Sequence, residues 1–218
     1  MKKLLFWMVL IVGIVVLLGS CAKKDDATAA TTTTTFTSVT TAAGSITVGS
    51  VTMSGTYVSG CNTSGVAAAV SGGYFPSDVV ANRDVIVVEG SDNVSEESHF
   101  YTDTSCSTLS VYLKNGNDNF TVGDQSGDYY KVTYQEKRFK IKADTAVAEA
   151  YYENHFSTNN ITNEGTAVDL VVGTEYSMGG SGSSYMNLFS VTSTQVQKGE
   201  GSTSSYPTAM DSLEMAKQ

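Results

Sequence analysis

Residues 130–143 read YKVTYQEKRFKIKA, and their alternation sets the fold class. Tyr130, Val132 and Tyr134 fall on one face, and Lys131, Thr133 and Gln135 on the other. After Glu136 the pattern resumes, with Phe139, Ile141 and Ala143 alternating with Arg138, Lys140 and Lys142. Successive side chains of a pleated backbone point to opposite sides, so a period of two marks a strand with one face buried. Two such runs predict a hairpin that turns near Glu136.

The same period extends in both directions. Val51, Met53, Gly55 and Tyr57 alternate with Thr52, Ser54 and Thr56; Leu109, Val111 and Leu113 alternate with Ser110, Tyr112 and Lys114. Asn115-Gly116 then has the residues of a two-residue hairpin turn, both tolerant of positive φ, and Phe120 and Val122 open another strand. Val85 to Val88 is a continuous apolar run of the kind buried on both faces. Further strands are expected at Val168 to Val172, at Tyr185 to Val191 and around Val196. One segment differs: in Thr145 to Phe156, Val147, Ala150, Tyr151 and Asn154 recur at helical spacing, with Asp144 or Thr145 as an N-cap. About eight antiparallel strands with one short helix predict a mainly β fold, a small barrel or sandwich. An eight-stranded barrel is wide enough to hold one small ligand.

The amino terminus reads as an address. Lys2 and Lys3 precede an apolar run from Leu4 to Leu18, too short for the ~20 residues a spanning helix needs and proportioned like the core of a secretory leader. It ends in Leu18-Gly19-Ser20-Cys21, which resembles the lipobox of bacterial lipoproteins. That resemblance implies a signal peptide over 1–20, a diacylglycerol on the Cys21 thiol and membrane attachment through the acyl chains. Residue 22 is Ala rather than an Asp, so the outer membrane is expected, on its periplasmic face or at the cell surface; Lys23-Lys24-Asp25-Asp26 resembles a surface-export tag. Residues 21–45, rich in Thr and Ala, read as a lipidated terminus and tether. A β-barrel domain is expected over 46–207 and a tail over 208–218.

Composition narrows the function classes. The formal charge is −9, and it becomes −11 if Lys2 and Lys3 leave with the leader. Such a surface disfavours nucleic acid and anionic lipid. With Cys21 assigned to lipid, Cys61 and Cys106 remain, and an even remainder in an oxidising compartment reads as one disulfide. The rival is a metal site pairing those thiols with His99 and His155, which lack the short ligand spacing of zinc motifs.

A family resemblance appears at these cysteines. Gly55-Thr56-Tyr57-Val58-Ser59-Gly60-Cys61 resembles the opening of lipocalin-like lipoproteins and of the lipocalin-like domains of secreted Wnt inhibitors of the adenomatosis polyposis coli down-regulated type. Phe100 to Cys106 resembles their later aromatic-x-Asp-x-x-Cys element. Tyr185 to Val191, with Lys198-Gly199 and Tyr206-Pro207, is similar to their closing strands. The resemblance implies a β-barrel, a Cys61–Cys106 disulfide and a binding role without chemistry.

Catalytic constellations are missing from the sequence: there is no Gly-x-Ser-x-Gly and no phosphate-cradling Gly loop. Gly179 to Ser183 reads as a flexible loop. Asn115, Asn117, Asp118, Asp124 and Asp128 carry oxygens suited to calcium but lack EF-hand spacing. Lys131, Arg138, Lys140 and Lys142 form a basic stripe read as a solvated face that discourages edge pairing. The expectation is therefore a non-catalytic, envelope-anchored domain that takes an apolar or amphipathic small molecule, with no cofactor. The alternative is a surface interaction, adhesion or structural protein with a filled barrel. An enzyme would need clustered polar groups in a cleft, for instance His99 beside a carboxylate.

Overall fold

The computed structural model describes residues 36–163 and 165–218. The leader, Cys21 and the tether up to residue 35 lie outside the described residues. Eight antiparallel strands close into a barrel: β3 (Thr56–Ser59), β4 (Ala81–Val88), β5 (Val94–Tyr101), β6 (Leu109–Ser126), β7 (Tyr129–Ala143), β11 (Ser184–Val191), β12 (Gln195–Gly199) and β13 (Met210–Lys217), which pairs back onto β3. A hairpin of β1 (Ile46–Val48) and β2 (Val51–Met53) precedes them, and β8 (Thr162–Asn163) pairs with β9 (Thr166–Ala167). Two helices, α1 (Val66–Ser71) and α2 (Ala146–Asn159), and the flanking strand β10 (Glu175–Gly179) complete the described elements.

The barrel is built on β6 and β7, and here two expected turns prove to be strand interior. Asn115-Gly116 and Glu136 lie opposite each other in one continuous ladder, with Gly116 across from Arg138 and Asn117 across from Glu136. Lys137 is the extra residue between those pairs, a β-bulge that bends the strand and shifts its inward phase from even to odd positions. A second bulge falls between Asp118 and Thr121, where Asn119 has φ 57°. The reversal between the strands is at Gly127 (φ 64°). Because the bulge splits its outer edge, β7 pairs with β11 over 130–135 and with β10 over 138–142.

Other boundaries also move. The Val51–Tyr57 strand is broken at Gly55 (φ 83°), leaving β2 in the small hairpin and β3 in the barrel. Val168 to Val172 forms no strand and instead places Leu170 in the core. The segment expected as a tail, 208–218, supplies β13, without which β12 and β3 would have unpaired edges.

Each end of the barrel is closed by apolar packing. At the β4–β5 turn, Ile46, Val48 and Met53 of the β1–β2 hairpin pack on Tyr57, Val88, Phe120 and Phe189. At the other end, Val66 and Ala69 of α1 and Ala148, Tyr152 and Phe156 of α2 pack on Phe100, Val111 and Ile141. The Thr145 hydroxyl accepts from Ala148 N–H (3.1 Å) and so caps α2 as expected. The buried stripe is one residue out from the expected one, however. Ala148, Tyr152 and Phe156 face inward while Val147 is exposed. Cys61 and Cys106 are joined, with Cα atoms 5.8 Å apart, tying the loop before α1 to the loop between β5 and β6.

The last residues of the stretch read as a tether lie along the outside of the barrel. Phe36 covers Val58, Val85 and Val87, which is why the run from Val85 to Val88 is buried on both faces. Val39 and Thr40 N–H groups donate to the two oxygens of Glu97 at 3.1 and 2.9 Å, and Ala43 N–H donates to Val88 O at 2.8 Å.

Candidate functional site

Between the two apolar plugs the barrel holds a pocket of ≈ 70 Å³ that is open to solvent on the side of Glu200. Its walls are mixed. Ile86, Leu113, Leu213 and Met215 give an apolar side, and the carboxyl groups of Asp84, Glu96, Glu136, Glu200 and Asp211 face the same space with a single ammonium, Lys198. The placement follows from strand parity. On β5 the even residues Val94, Glu96, Ser98 and Phe100 point inward, and on β12 and β13 Lys198 and Asp211 occupy inward positions. By volume the chamber holds a few waters or a molecule of a few heavy atoms, since one water needs roughly 10–15 Å³.

The charges are partly matched. Lys198 Nζ pairs with Glu96 Oε2; burial works against its charge, yet Glu96, Asp84 and Asp211 together hold the ammonium above its ordinary value. Burial pushes the Asp84 carboxyl up, against a 2.9 Å hydrogen bond from the Ser98 hydroxyl. Glu136 and Asp211 are raised by burial in the same way, and Glu200 by burial with Asp211 adding to it. Desolvation disfavours the charged form of a carboxyl group, so these four hold their protons more tightly than exposed carboxyl groups do. Two acceptors there have no donor: Glu96 Oε1 and Asn115 Oδ1.

The loop at Gly179 to Ser183 is pinned at the β7 bulge rather than free. Gly180 N–H donates to Lys137 O (2.9 Å), Ser181 N–H to Glu136 Oε1 (3.0 Å) and Gly182 N–H to Glu136 O (2.9 Å). Gly180 is required there, because a Cβ would stand 2.6 Å from the Lys137 carbonyl carbon. The loop thereby fixes the Glu136 carboxyl in the chamber wall.

The residues singled out from the sequence do not converge. Asn115 and Asn117 line the chamber, but Asp118 pairs with Arg138 at 2.7 Å, and among the described residues no three acidic, His or Cys side chains are grouped to hold a metal. The basic stripe is matched: Arg138 also meets Glu89, Lys140 meets Glu175, Lys142 meets Asp144, and Lys131 lies 5.2 Å from the Tyr206 ring centroid. His99 does stand beside a carboxylate, with Nε2 2.8 Å from Glu97 Oε2, but that pair is on the outer face, sealed under residues 36–43. His155 is apart from it, on α2.

The Glu97 contact makes the attachment of residues 39 and 40 to the barrel sensitive to acid. Burial alone would raise its carboxyl, but hydrogen bonds from His99, Thr40 and Val39 hold it below the ordinary value of 4.5. A carboxyl lowered in the folded state stabilises above its unfolded value and loses that contribution as pH falls through the folded one. Amide hydrogen exchange at Val39 and Thr40, corrected for the intrinsic effect of pH, should therefore show protection at pH 6 that declines below about pH 4.5. In Glu97→Gln that acid step should vanish. An unchanged step in the variant would assign it to another group.

The charged residues of the chamber were not singled out from the sequence as a site. They come from five separate strands and one loop, and the only available signal was charge at the inward parity of otherwise apolar strands. No known family model matches the chain, and a search of the curated proteins returns no significant match.

Proposed function

We propose that this chain is an envelope-anchored, non-catalytic binding protein whose barrel takes a small amphipathic molecule. One observation carries the reading: the barrel gathers charged side chains in a partly open pocket, two of them, Asp84 and Glu136, largely out of water, where apolar ones would pack at lower cost. Burying charge without full pairing is expensive, and departures of this kind concentrate at functional sites. The chamber has an apolar wall opposite a charged one, which suits a molecule with one hydrocarbon end and one polar end rather than a purely apolar ligand. The leader and Cys21 support the envelope anchor.

Native mass spectrometry of the full chain, released from detergent in the gas phase, tests this. A bound mass of small-molecule size that is lost on denaturation and recovered by solvent extraction is the expected result. Chain without bound mass would favour the second reading, an interaction or structural protein, which the two packed barrel ends and the small chamber support.

A further inference from the structure

We propose that the α1–α2 end of the barrel docks on the bilayer that carries the anchor, its exposed valines and Tyr74 entering the headgroup region of zwitterionic lipid. The inference rests on the envelope-anchor part of the reading above and adds an interaction surface and an orientation. Among the described residues six large apolar side chains are exposed, and five of them, Tyr74, Val80, Val147, Val171 and Val172, belong to this end. Val80 N–H donates to the carbonyl of Tyr101, the last residue of β5 (2.8 Å), and Gly173, next to Val172, donates to that of Ala143, the last of β7 (2.7 Å). Val147 is in the first turn of α2, and Tyr74 follows α1, tied to α2 by the Tyr151 hydroxyl on Gly73 O (2.9 Å). Single apolar residues scattered over a surface need no explanation, whereas a gathering at one place marks an interaction site.

The position of the amino-terminal segment says which partner this end meets. Phe36, where the described residues begin, stacks edge-on to His99 with ring centroids 5.0 Å apart, two residues before β5 ends at the α1–α2 end. From there the chain runs the other way, past Glu97 to Val88 at the β4–β5 turn. Cys21 lies fifteen residues before Phe36, a reach of about 50 Å at most. An anchor that draws on the chain at Phe36 brings the α1–α2 end toward the bilayer. The opposite end, with Glu89 to Asn93 and Gly123 to Asp128, is polar and is left facing away.

Charge fits the same partner. From Asn62 to Ser77, the stretch that holds α1, no residue is charged, and Ala67 and Ala68 are exposed beside Tyr74. Asp78 is engaged by the hydroxyls of Ser110 (2.9 Å) and Thr145 (2.7 Å), and Asp144 by Lys142. Glu149 and Asp169, the nearest charges in sequence to the valines, are acidic, so anionic headgroups are not what this end attracts. Valine enters the acyl boundary and tyrosine, apolar in its ring and polar at its tip, suits the headgroup level.

Tryptophan fluorescence of the full chain in phosphatidylcholine vesicles tests the docking. Trp7 is the chain's one Trp, so a Trp7→Phe background leaves an introduced indole as the only one. In that background Val171→Trp reports the α1–α2 end, and Ser91→Trp, in the β4–β5 turn, the opposite end. Bromine on the lipid chains quenches an indole that enters the bilayer. The expected result is emission from Val171→Trp lowered by about twofold or more in brominated lipid, as for an aromatic at the interface, with Ser91→Trp unchanged. Adding Val147→Asp and Val172→Asp to Val171→Trp should abolish that quenching, folding being checked by circular dichroism. Chain that floats with the vesicles but shows no quenching at 171, or no more than at 91, would overturn the docking and leave the anchor standing. A blue shift at 171 that grows with protein concentration and is not quenched would assign the face to a second copy and overturn it too. So would quenching that appears only when phosphatidylglycerol is mixed in. Chain that does not float with the vesicles would remove both the docking and the anchor.

Discussion

Replacing both cysteines, Cys61→Ala with Cys106→Ala, should cost about 4 kcal/mol of folding stability. The bond closes a 45-residue loop, and chain-entropy arguments assign about 4 kcal/mol to crosslinking a loop of that length. The loop it closes holds α1, β4 and β5, so its loss frees both one plug of the barrel and one wall of the chamber. Residue 106 also carries a strain that alanine would keep and glycine would relieve. Cys106 has φ 54°, a left-handed conformation that L-residues with a Cβ enter at roughly 1–2 kcal/mol. Cys61→Ala with Cys106→Gly should therefore be more stable than the double alanine by about 1 kcal/mol. Urea denaturation of the two variants beside the oxidised parent measures both differences; a double alanine within 1 kcal/mol of the parent would contradict the argument.

Phe156→Ala should cost about 3–5 kcal/mol, the range for removing a buried aromatic from a packed core. The side chain is 1% exposed and belongs to the cluster in which α2 meets Phe100, Val111 and Ile141. Removing it loosens the helix from the barrel end instead of merely trimming a surface. Phe156→Leu keeps most of the volume and should cost less than about 1.5 kcal/mol. Val147→Ala, one stripe away on the exposed side of the same helix, should change stability by no more than about 0.5 kcal/mol. Equal losses at 147 and 156 would show that the helix is turned from the orientation described.

The fold class was legible because alternation survives any error in connection. The connections were less so, for a definite reason. A bulge and a hairpin turn both interrupt a period of two, and near Glu136 a single extra residue, Lys137, produces the same break as a reversal. Asn115-Gly116 carries strong turn chemistry, yet it is paired on both sides, to β5 and β7, so the chain has no room to reverse there. The helix was found from its cap and length, but its buried side was misjudged by one residue. Its inner stripe of Ala148, Tyr152 and Phe156 is narrow, and an equally apolar one lies beside it. β13 was read as a tail because the apolar residues of Met210 to Lys217 do not alternate. A strand that fills the last gap in a barrel gains its stability from two ladders of backbone hydrogen bonds, which composition does not report.

The candidate site was the least legible part. Glu96 and Glu97 are adjacent and chemically alike, but the Glu96 carboxyl pairs with Lys198 in the chamber and the Glu97 carboxyl accepts from residues 39 and 40 on the opposite side of the sheet. Only the register of β5 separates them. The disulfide, by contrast, followed from cysteine arithmetic and compartment, and Cys61 and Cys106 are bonded.

Selectively labelling the methionine methyl groups with carbon-13 and following them by NMR during titration with butan-1-ol, a small amphipathic probe, tests most directly whether the barrel interior is a ligand chamber. Met215 lines the chamber, while Met178, on β10, packs on the cluster of Phe139 and Ile141 and does not line it. The Met215 signal should shift with a saturable dependence on ligand while Met178 stays in place. Movement at Met178 with Met215 unchanged would place binding away from the chamber and contradict the account.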